Sequence, residues 1–141
     1  MDWPPLEQIL QLLGDFPLHK RLGFELVEAK DGRARARCHV IPEVVNIGGV
    51  LHGGVIYAVM DIAAFCAAVT VIPEKHNAAT ADISVQVLRA TPPGAVLELT
   101  AEVRKLGKRL VFVDAEATLD GEVVALARVT KSVFAIKGTL G

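Results

Sequence analysis

A single charged residue, Asp61, stands in the middle of an apolar, alanine-rich run from Val55 to Ile72. A carboxylate on an apolar helix must either find partners or carry a large desolvation cost. Asp61 is therefore a candidate general base or nucleophile. From this helix alone, a structural role is a comparable alternative, with the carboxylate hydrogen-bonded to the backbone or to Tyr57.

A glycine-rich segment, Asn46-Ile47-Gly48-Gly49-Val50-Leu51-His52-Gly53-Gly54, precedes that run. The paired glycines could simply form a flexible loop, and His52 could simply cap a helix. The first N–H groups of a helix, however, have no internal acceptors and carry the positive end of the helix dipole. Because glycine lets a substrate carbonyl approach these groups, the pattern predicts an oxyanion site made from the Gly53 N–H.

The spacing of these two candidates restricts how they can cooperate. Gly53 and Asp61 are eight positions apart, which corresponds to about 12 Å along a helix. One subunit cannot bring both groups to one carbonyl. Two copies that pack their long helices antiparallel about a two-fold axis could do so, and we therefore expect a homodimer with two shared sites.

The rest of the sequence predicts an α+β domain in which an antiparallel sheet is wrapped around one long central helix. A short N-terminal helix is expected over Leu6–Leu13, with Gly14 as its stop, and the long helix from Gly54 to about Val71. A hairpin turn is expected at Asp31-Gly32. The strands are predicted at Phe24–Lys30, Arg33–Ile41, Asn77–Thr91, Val96–Lys105, Arg109–Leu119 and Glu122–Ile136, the last four as consecutive antiparallel strands.

Length and composition are those of one domain spanning residues 1–141. The net charge of −1 gives no basis for nucleic-acid binding. Cys38 and Cys66 occupy apolar positions without metal-ligand spacing, which indicates buried free thiols and no metal. The N-terminus lacks the features of a signal peptide, and Asp61 argues against a membrane span, so we expect a cytoplasmic protein.

The motif Asn46-x-x-Gly49-x-x-His52-Gly53-Gly54, with Asp61 eight residues after Gly53, resembles the phenylacetate-pathway (PaaI-like) branch of the hot-dog acyl-CoA thioesterases. The likeness extends from roughly Leu22 to Ile136. It implies a hot-dog fold, subunits that pair through continuous sheets, and further association of dimers into a homotetramer. It also implies that substrates are coenzyme A thioesters, with no cofactor beyond the coenzyme A of the substrate.

The same resemblance assigns roles to single residues. It implies that Gly53 donates its N–H to the thioester oxygen while Asp61 of the other chain activates water or attacks directly. Asn46 and His52 would position the water or the thioester, and Thr80 matches a hydroxyl beside the site. The residues implied to bind the substrate are Gly54, Asp82, Lys105, Gly107, Lys108, Arg109 and Lys131, although for the individual lysines an ordinary solvated charge is the more common explanation.

Two other functions remain open on the same fold. One is an acyl-thioester hydratase or dehydratase, which would need a differently spaced His–carboxylate pair. The other is a non-catalytic acyl-CoA-binding domain, which has no need of a carboxylate facing the carbonyl. The acyl group is not fixed by the sequence. Tyr57, Phe65 and Phe112 could form an aromatic pocket for an aryl-acetyl group, whereas core packing explains these rings equally well and a medium-chain acyl group is an alternative.

Overall fold

The computed structural model describes residues 3–137 and contains three α-helices in that range, α1 (Leu6–Asp15), α2 (Pro17–Arg21) and α3 (Gly53–Val69). The N-terminal helix α1 buries Ile9 and Leu13 against the domain. The prediction that Gly14 would end α1 is wrong, because the helix continues to Asp15. Phe16 precedes Pro17 and adopts an extended conformation with φ −61° and ψ 132°, since proline disfavours helical geometry in the residue before it.

Six strands form one antiparallel sheet in the order β1-β2-β4-β5-β6-β3. They are β1 (Phe24–Lys30), β2 (Arg33–His39), β3 (His76–Val87), β4 (Val96–Leu106), β5 (Leu110–Leu119) and β6 (Glu122–Ala135). The expected meander is present in β4, β5 and β6. For β3 the expectation is wrong, because β3 pairs with β6 at the edge of the sheet and not with β4.

The hairpin and the amphipathic strand predicted near the N-terminus are confirmed. Asp31 and Gly32 both have positive φ, 51° and 77°, as a type I′ turn requires. In β2 the small and apolar side chains are buried on the inner face, whereas on the outer face Arg33 and Arg35 are exposed and Arg37 is half-buried. Both cysteines are buried and unpaired within the described range.

Helix α3 lies against the inner face of the sheet and contacts all six strands. Its buried side chains are Ile56, Val59, Met60, Ala63, Ala64, Cys66, Ala67, Ala68 and Val69. It ends two residues before the predicted Val71. The Thr70 hydroxyl donates to the Ala67 carbonyl at 2.7 Å and accepts the Gly32 N–H at 2.8 Å. The end of α3 is thereby fixed to the β1–β2 turn.

A second stripe of α3, which includes Tyr57, Asp61 and Phe65, is not fully covered by the sheet of its own chain. The edge strand β3 runs beside this stripe, and most of its residues from Ala79 onward are exposed. None of the helices in residues 3–137 combines the length and the apolar character needed to cross a bilayer.

Candidate active site

Asp61 lies on the partly uncovered stripe of α3, where two strands supply its partners. The Thr80 hydroxyl on β3 donates to Asp61 Oδ1 at 2.7 Å. Lys131 on β6 donates from Nζ to the same oxygen at 2.8 Å, and to Thr80 Oγ1 at 2.8 Å. The Asp61 side chain is 34% exposed and that of Lys131 only 3%. The carboxyl group therefore faces solvent on one side and the buried Lys131 Nζ on the other.

A β-bulge in β3 determines which side chains reach this cluster. Thr80 pairs with Lys131 and Asp82 pairs with Thr130, so that Ala81 is the extra residue between them. A bulge changes the alternation of side chains along the bulged strand. Thr80 consequently faces α3, whereas Asp82 and Thr130 line the opposite, outer face of the sheet. The structure does not bring Asp82 together with Asp61.

The start of α3 is organised by His52, whose ring Nδ1 accepts the Gly54 N–H at 2.8 Å. Because a backbone N–H can only donate, the proton of the neutral ring is on Nε2. The His52 carbonyl accepts the N–H groups of Val55 and Ile56. Among the first four residues of the helix, only the Gly53 N–H has no acceptor in the described part of the chain.

The two glycines at this helix start have different surroundings. A Cβ added at Gly53 would meet no heavy atom within 4 Å. At Gly54 it would lie 3.1 Å from Nδ1 and 3.2 Å from Cε1 of His52. Gly54 therefore makes room for the capping ring, whereas the space in front of Gly53 is open.

Asn46 folds the loop that leads into the helix. Its side-chain oxygen accepts the N–H groups of Gly48 at 3.0 Å and Val50 at 3.2 Å. Val45 and Leu51 form an isolated bridge beside it. The oxygen of Asn46 is thus used within the loop, and its amide nitrogen is the group left for other contacts.

The predicted basic turn joins β4 to β5 and contains Lys105, Gly107, Lys108 and Arg109, three of them exposed. The Gly107 N–H closes the turn on the Leu110 carbonyl at 2.8 Å, and the Arg109 carbonyl accepts the Val133 N–H at 2.7 Å. Val111, just after the turn, pairs with Lys131. The turn therefore lies at the same end of the sheet as the Asp61 cluster.

The three aromatic residues considered for an acyl pocket do not assemble in the single chain. Phe112 pairs with Thr130 and lines a groove of about 1120 Å³ on the outer face of the sheet, which carries many charged side chains. Tyr57 is 43% exposed and its hydroxyl donates to the Val85 carbonyl at 3.4 Å. Of the three rings, only that of Phe65 lies next to the Asp61 cluster, with its centroid 5.6 Å from Lys131 Nζ.

Lys131 is the residue whose place in the site the sequence prediction missed, since it was grouped with coenzyme-binding residues. A signal was available in β6, where Val129, Lys131 and Val133 alternate with polar residues and therefore share the inner face.

Burial also acts on the thiols of the core. It raises the pKa of Cys66 from 9.0 to about 12 and that of Cys38 to about 11. These values describe inert, protonated thiols rather than nucleophiles.

Within residues 3–137, the His, Cys, Asp and Glu side chains form no group of three or more that could hold a metal ion.

Sequence comparison identifies the family. The model of the thioesterase superfamily matches residues 48–131, more than half of the chain. The chain belongs to the thioesterase superfamily. The matched segment includes Gly53, Asp61, Thr80 and Lys131. A protein of Saccharolobus solfataricus, named as a candidate esterase, is 29% identical over 79% of this chain and 73% of its own length.

Solved structures agree with this assignment. The PaaI protein of the phenylacetic acid degradation operon of Escherichia coli is 25% identical, with a TM-score of 0.81 over 95% of each chain. A thioesterase of Haemophilus influenzae superposes with a TM-score of 0.84 over 99% of this chain and 97% of its own, and at 22% identity it supports the fold alone. The predicted hot-dog thioesterase fold and the resemblance to PaaI proteins are thereby confirmed. Family membership also supports a hydrolase activity of the thioesterase kind.

Proposed function

We propose that this chain is an acyl-CoA thioesterase that hydrolyses a coenzyme A thioester to the free acid and coenzyme A. The observation that carries the proposal is the position of Asp61. Its carboxylate is held by Thr80 and Lys131 on the stripe of α3 that its own sheet does not cover. The Asp61 side chain is 34% exposed, so the carboxylate is held in place and still accessible to water or a thioester.

The start of α3 is the proposed site at which the thioester carbonyl is polarised. The Gly53 N–H has no acceptor in the described part of the chain, and the absence of a side chain at position 53 leaves open space at the Cβ position beside it. A thioester oxygen hydrogen-bonded there would be polarised by the N–H and by the positive end of the dipole of a 17-residue helix. His52, with its proton on Nε2, can supply a further donor at the same helix end.

The reaction then needs no group beyond these residues and water. The water oxygen attacks the carbonyl carbon while Asp61 takes the water proton, and the developing oxyanion is stabilised by the Gly53 N–H. The C–S bond breaks as the tetrahedral intermediate collapses, and the thiolate of coenzyme A leaves and is protonated. If Asp61 attacks directly, the same carboxylate forms a mixed anhydride that water hydrolyses.

We propose that each site is shared between the subunits of a homodimer. Gly53 and Asp61 are about 12 Å apart on one helix, and the stripe carrying Asp61 continues onto the exposed edge strand β3. An exposed edge of 12 residues is a ready template for pairing with another chain. A second copy that pairs along β3 would cover both features. Association of two dimers into a homotetramer is the further arrangement proposed from the family resemblance.

The basic β4–β5 turn is the proposed contact for the nucleotide end of coenzyme A. It presents Lys105, Lys108 and Arg109 at the end of the sheet that holds the Asp61 cluster. Cationic side chains at such a turn suit phosphate groups.

We propose an aryl-acetyl or medium-chain acyl group as the other half of the substrate. The two buried, unpaired cysteines are compatible with the reducing cytoplasm that we propose as its location.

A panel of acyl-CoA esters, followed by release of free thiol, tests this function. Wild-type protein should hydrolyse at least one member, and Asp61→Asn should lower kcat at least about a hundredfold while coenzyme binding persists. Asn at position 61 retains an oxygen for Thr80 and Lys131, so the fold should be preserved. Asp114→Asn is the matched control, because Asp114 lies on the outer face and pairs with exposed Arg128.

Two outcomes would contradict the proposal. Near-normal turnover by folded Asp61→Asn protein would exclude Asp61 from the mechanism. Tight binding of acyl-CoA without hydrolysis across the whole panel would instead favour a ligand-binding domain.

A further inference from the structure

Lys131 is the one charged residue that is buried among residues 3–137. Its side chain is 3% exposed, in the middle of β6. A buried ammonium is costly unless it is paired and hydrogen-bonded. Here Nζ donates to Asp61 Oδ1 and to Thr80 Oγ1, both at 2.8 Å, and lies 5.6 Å from the centre of the Phe65 ring. Two of the three N–H groups of the ammonium therefore have acceptors, and the Phe65 ring lies within the distance of a cation–π contact.

The contacts of Lys131 make the two oxygens of Asp61 unequal. Oδ1 accepts from both Thr80, at 2.7 Å, and Lys131, at 2.8 Å. Oδ2 has no hydrogen-bond partner among residues 3–137. Because the tethers come from two different strands, they fix the rotation of the carboxylate as well as its position. Oδ2 is left as the oxygen that can take a proton or attack.

The same contacts restrict Thr80. Its oxygen accepts from Lys131, which can only donate, and its hydrogen is directed to Asp61 Oδ1. The hydroxyl hydrogen is therefore committed to the carboxylate and is not available to a thioester oxygen.

We propose that Lys131 is a positioning residue of the reaction, which acts through Asp61 and has no contact with coenzyme A. Together with Thr80 it holds Oδ1, so that Oδ2 is the reacting atom. This inference rests on the thioesterase activity proposed above. The positive charge also balances Asp61, so that the negative charge that develops on the thioester oxygen forms in a site that is not already anionic.

The first test is the steady-state kinetics of Lys131→Met, which keeps the length of the side chain and removes its charge and donors. We expect kcat to fall roughly 10- to 100-fold, since misplacing a reacting group by about 1 Å costs up to the larger factor. KM for acyl-CoA should stay near the wild-type value, because the lost interaction is not a uniform binding contact. The opposite result, a raised KM with unchanged kcat, would make Lys131 a coenzyme contact and overturn the proposal.

The second test asks whether Lys131 and Thr80 act on the same oxygen. Thr80→Val removes the tether from β3, and combining it with Lys131→Met forms a double-mutant cycle in kcat. If both residues position Oδ1, the double variant should lose much less than the product of the single losses. Independent effects that simply multiply would overturn the shared role. Lys131→Gln, which can still donate one hydrogen bond, should fall between wild type and Lys131→Met, and it replaces Lys131→Met if that variant does not fold.

A measurement without substrate separates this proposal from the proposed function. The urea midpoints of Asp61→Asn, Lys131→Met and the double variant form a cycle in stability. The double variant should lose less than the sum of the single shifts, because Lys131→Met removes the buried charge that Asp61→Asn alone leaves uncompensated. A protein that hydrolyses no thioester but shows this coupling would refute the proposed function and retain the Asp61–Lys131 arrangement. Additive midpoint shifts would refute the arrangement itself.

Discussion

Mixing two inactive variants tests the shared site most directly. The first variant is Asp61→Asn, which lacks the reacting carboxylate. The second is Gly53→Val, whose added side chain enters the open space at the Cβ position, beside the Gly53 N–H. A reacting group must lie within about 3 Å of its target atom, whereas these two groups are about 12 Å apart along one helix. Each working site should therefore take Gly53 from one chain and Asp61 from the other.

The expected recovery follows from this geometry. In a dimer of one Asp61→Asn chain and one Gly53→Val chain, one site carries both lesions and the other carries neither. Random exchange of equal amounts makes half of the dimers mixed, and each mixed dimer has one intact site out of two. Activity should rise from nearly zero to about a quarter of the wild-type value if the sites act independently.

The assay is free-thiol release before and after subunit exchange, with exchange monitored by native mass spectrometry. Gly14→Val is a matched control, because a Cβ at this other helical glycine also meets no heavy atom within 4 Å. A mixture of Gly14→Val with Asp61→Asn should have about half the wild-type activity both before and after exchange. If mixed dimers form and the Asp61→Asn with Gly53→Val mixture stays inactive, the two residues do not share a site across the interface.

Three further predictions concern other parts of the chain. The double variant Lys108→Ala, Arg109→Ala should raise KM for acyl-CoA with little change in kcat. Its kinetics with a truncated thioester that lacks the nucleotide should match those of the wild type. Equal effects on both substrates would contradict a coenzyme contact. His52→Ala should lower the free energy of unfolding in urea by about 1 kcal/mol through loss of the helix cap, whereas an asparagine there should retain the cap; equal losses would exclude capping. The thiols of Cys38 and Cys66 should resist labelling at pH 8 in the native state. The thiol pKa is near 9.0 in the unfolded state, whereas in the folded state it is about 11 for Cys38 and about 12 for Cys66. Between these values the unfolded state binds fewer protons than the folded state. The free energy of unfolding should therefore fall as pH rises from about 9 to 12, and less steeply in Cys66→Ala.

The local features of this fold are predictable because they depend on neighbours in sequence. Alternation in β2 gives the buried face, the Asp31-Gly32 pair gives the turn, and the apolar run gives α3. The pairing of β3 with β6, in contrast, joins two strands that are distant in the sequence. Alternation within a strand determines which side chains share a face but not which strand lies beside it, and so the expected β3–β4 pair was wrong.

The difference between local features and contacts of distant segments also explains which candidate site residues the sequence could indicate. Asp61 and Gly53 were identifiable because each is exceptional in its own segment: a lone charge on an apolar helix, and a glycine at a helix start. Lys131 is an ordinary residue by sequence, since a lysine on a strand is usually solvated. Asp82 was grouped with the site through the family resemblance, and the bulge at Ala81 places it on the opposite face of the sheet from Thr80.

The arrangement of the cluster also links assembly to chemistry in the proposed dimer. Helix α3 carries both the N–H proposed to polarise the carbonyl and the carboxylate proposed to react, yet its length separates them. Thr80, one of the two tethers of Asp61, belongs to the edge strand β3, which is also the strand proposed to pair with the second copy. Pairing along β3 would therefore fix the backbone that holds the carboxylate in the same step that brings the partner's helix start to it. In this proposal a single chain contains every reacting group but completes no site, so hydrolysis should depend on protein concentration in the range where the dimer dissociates.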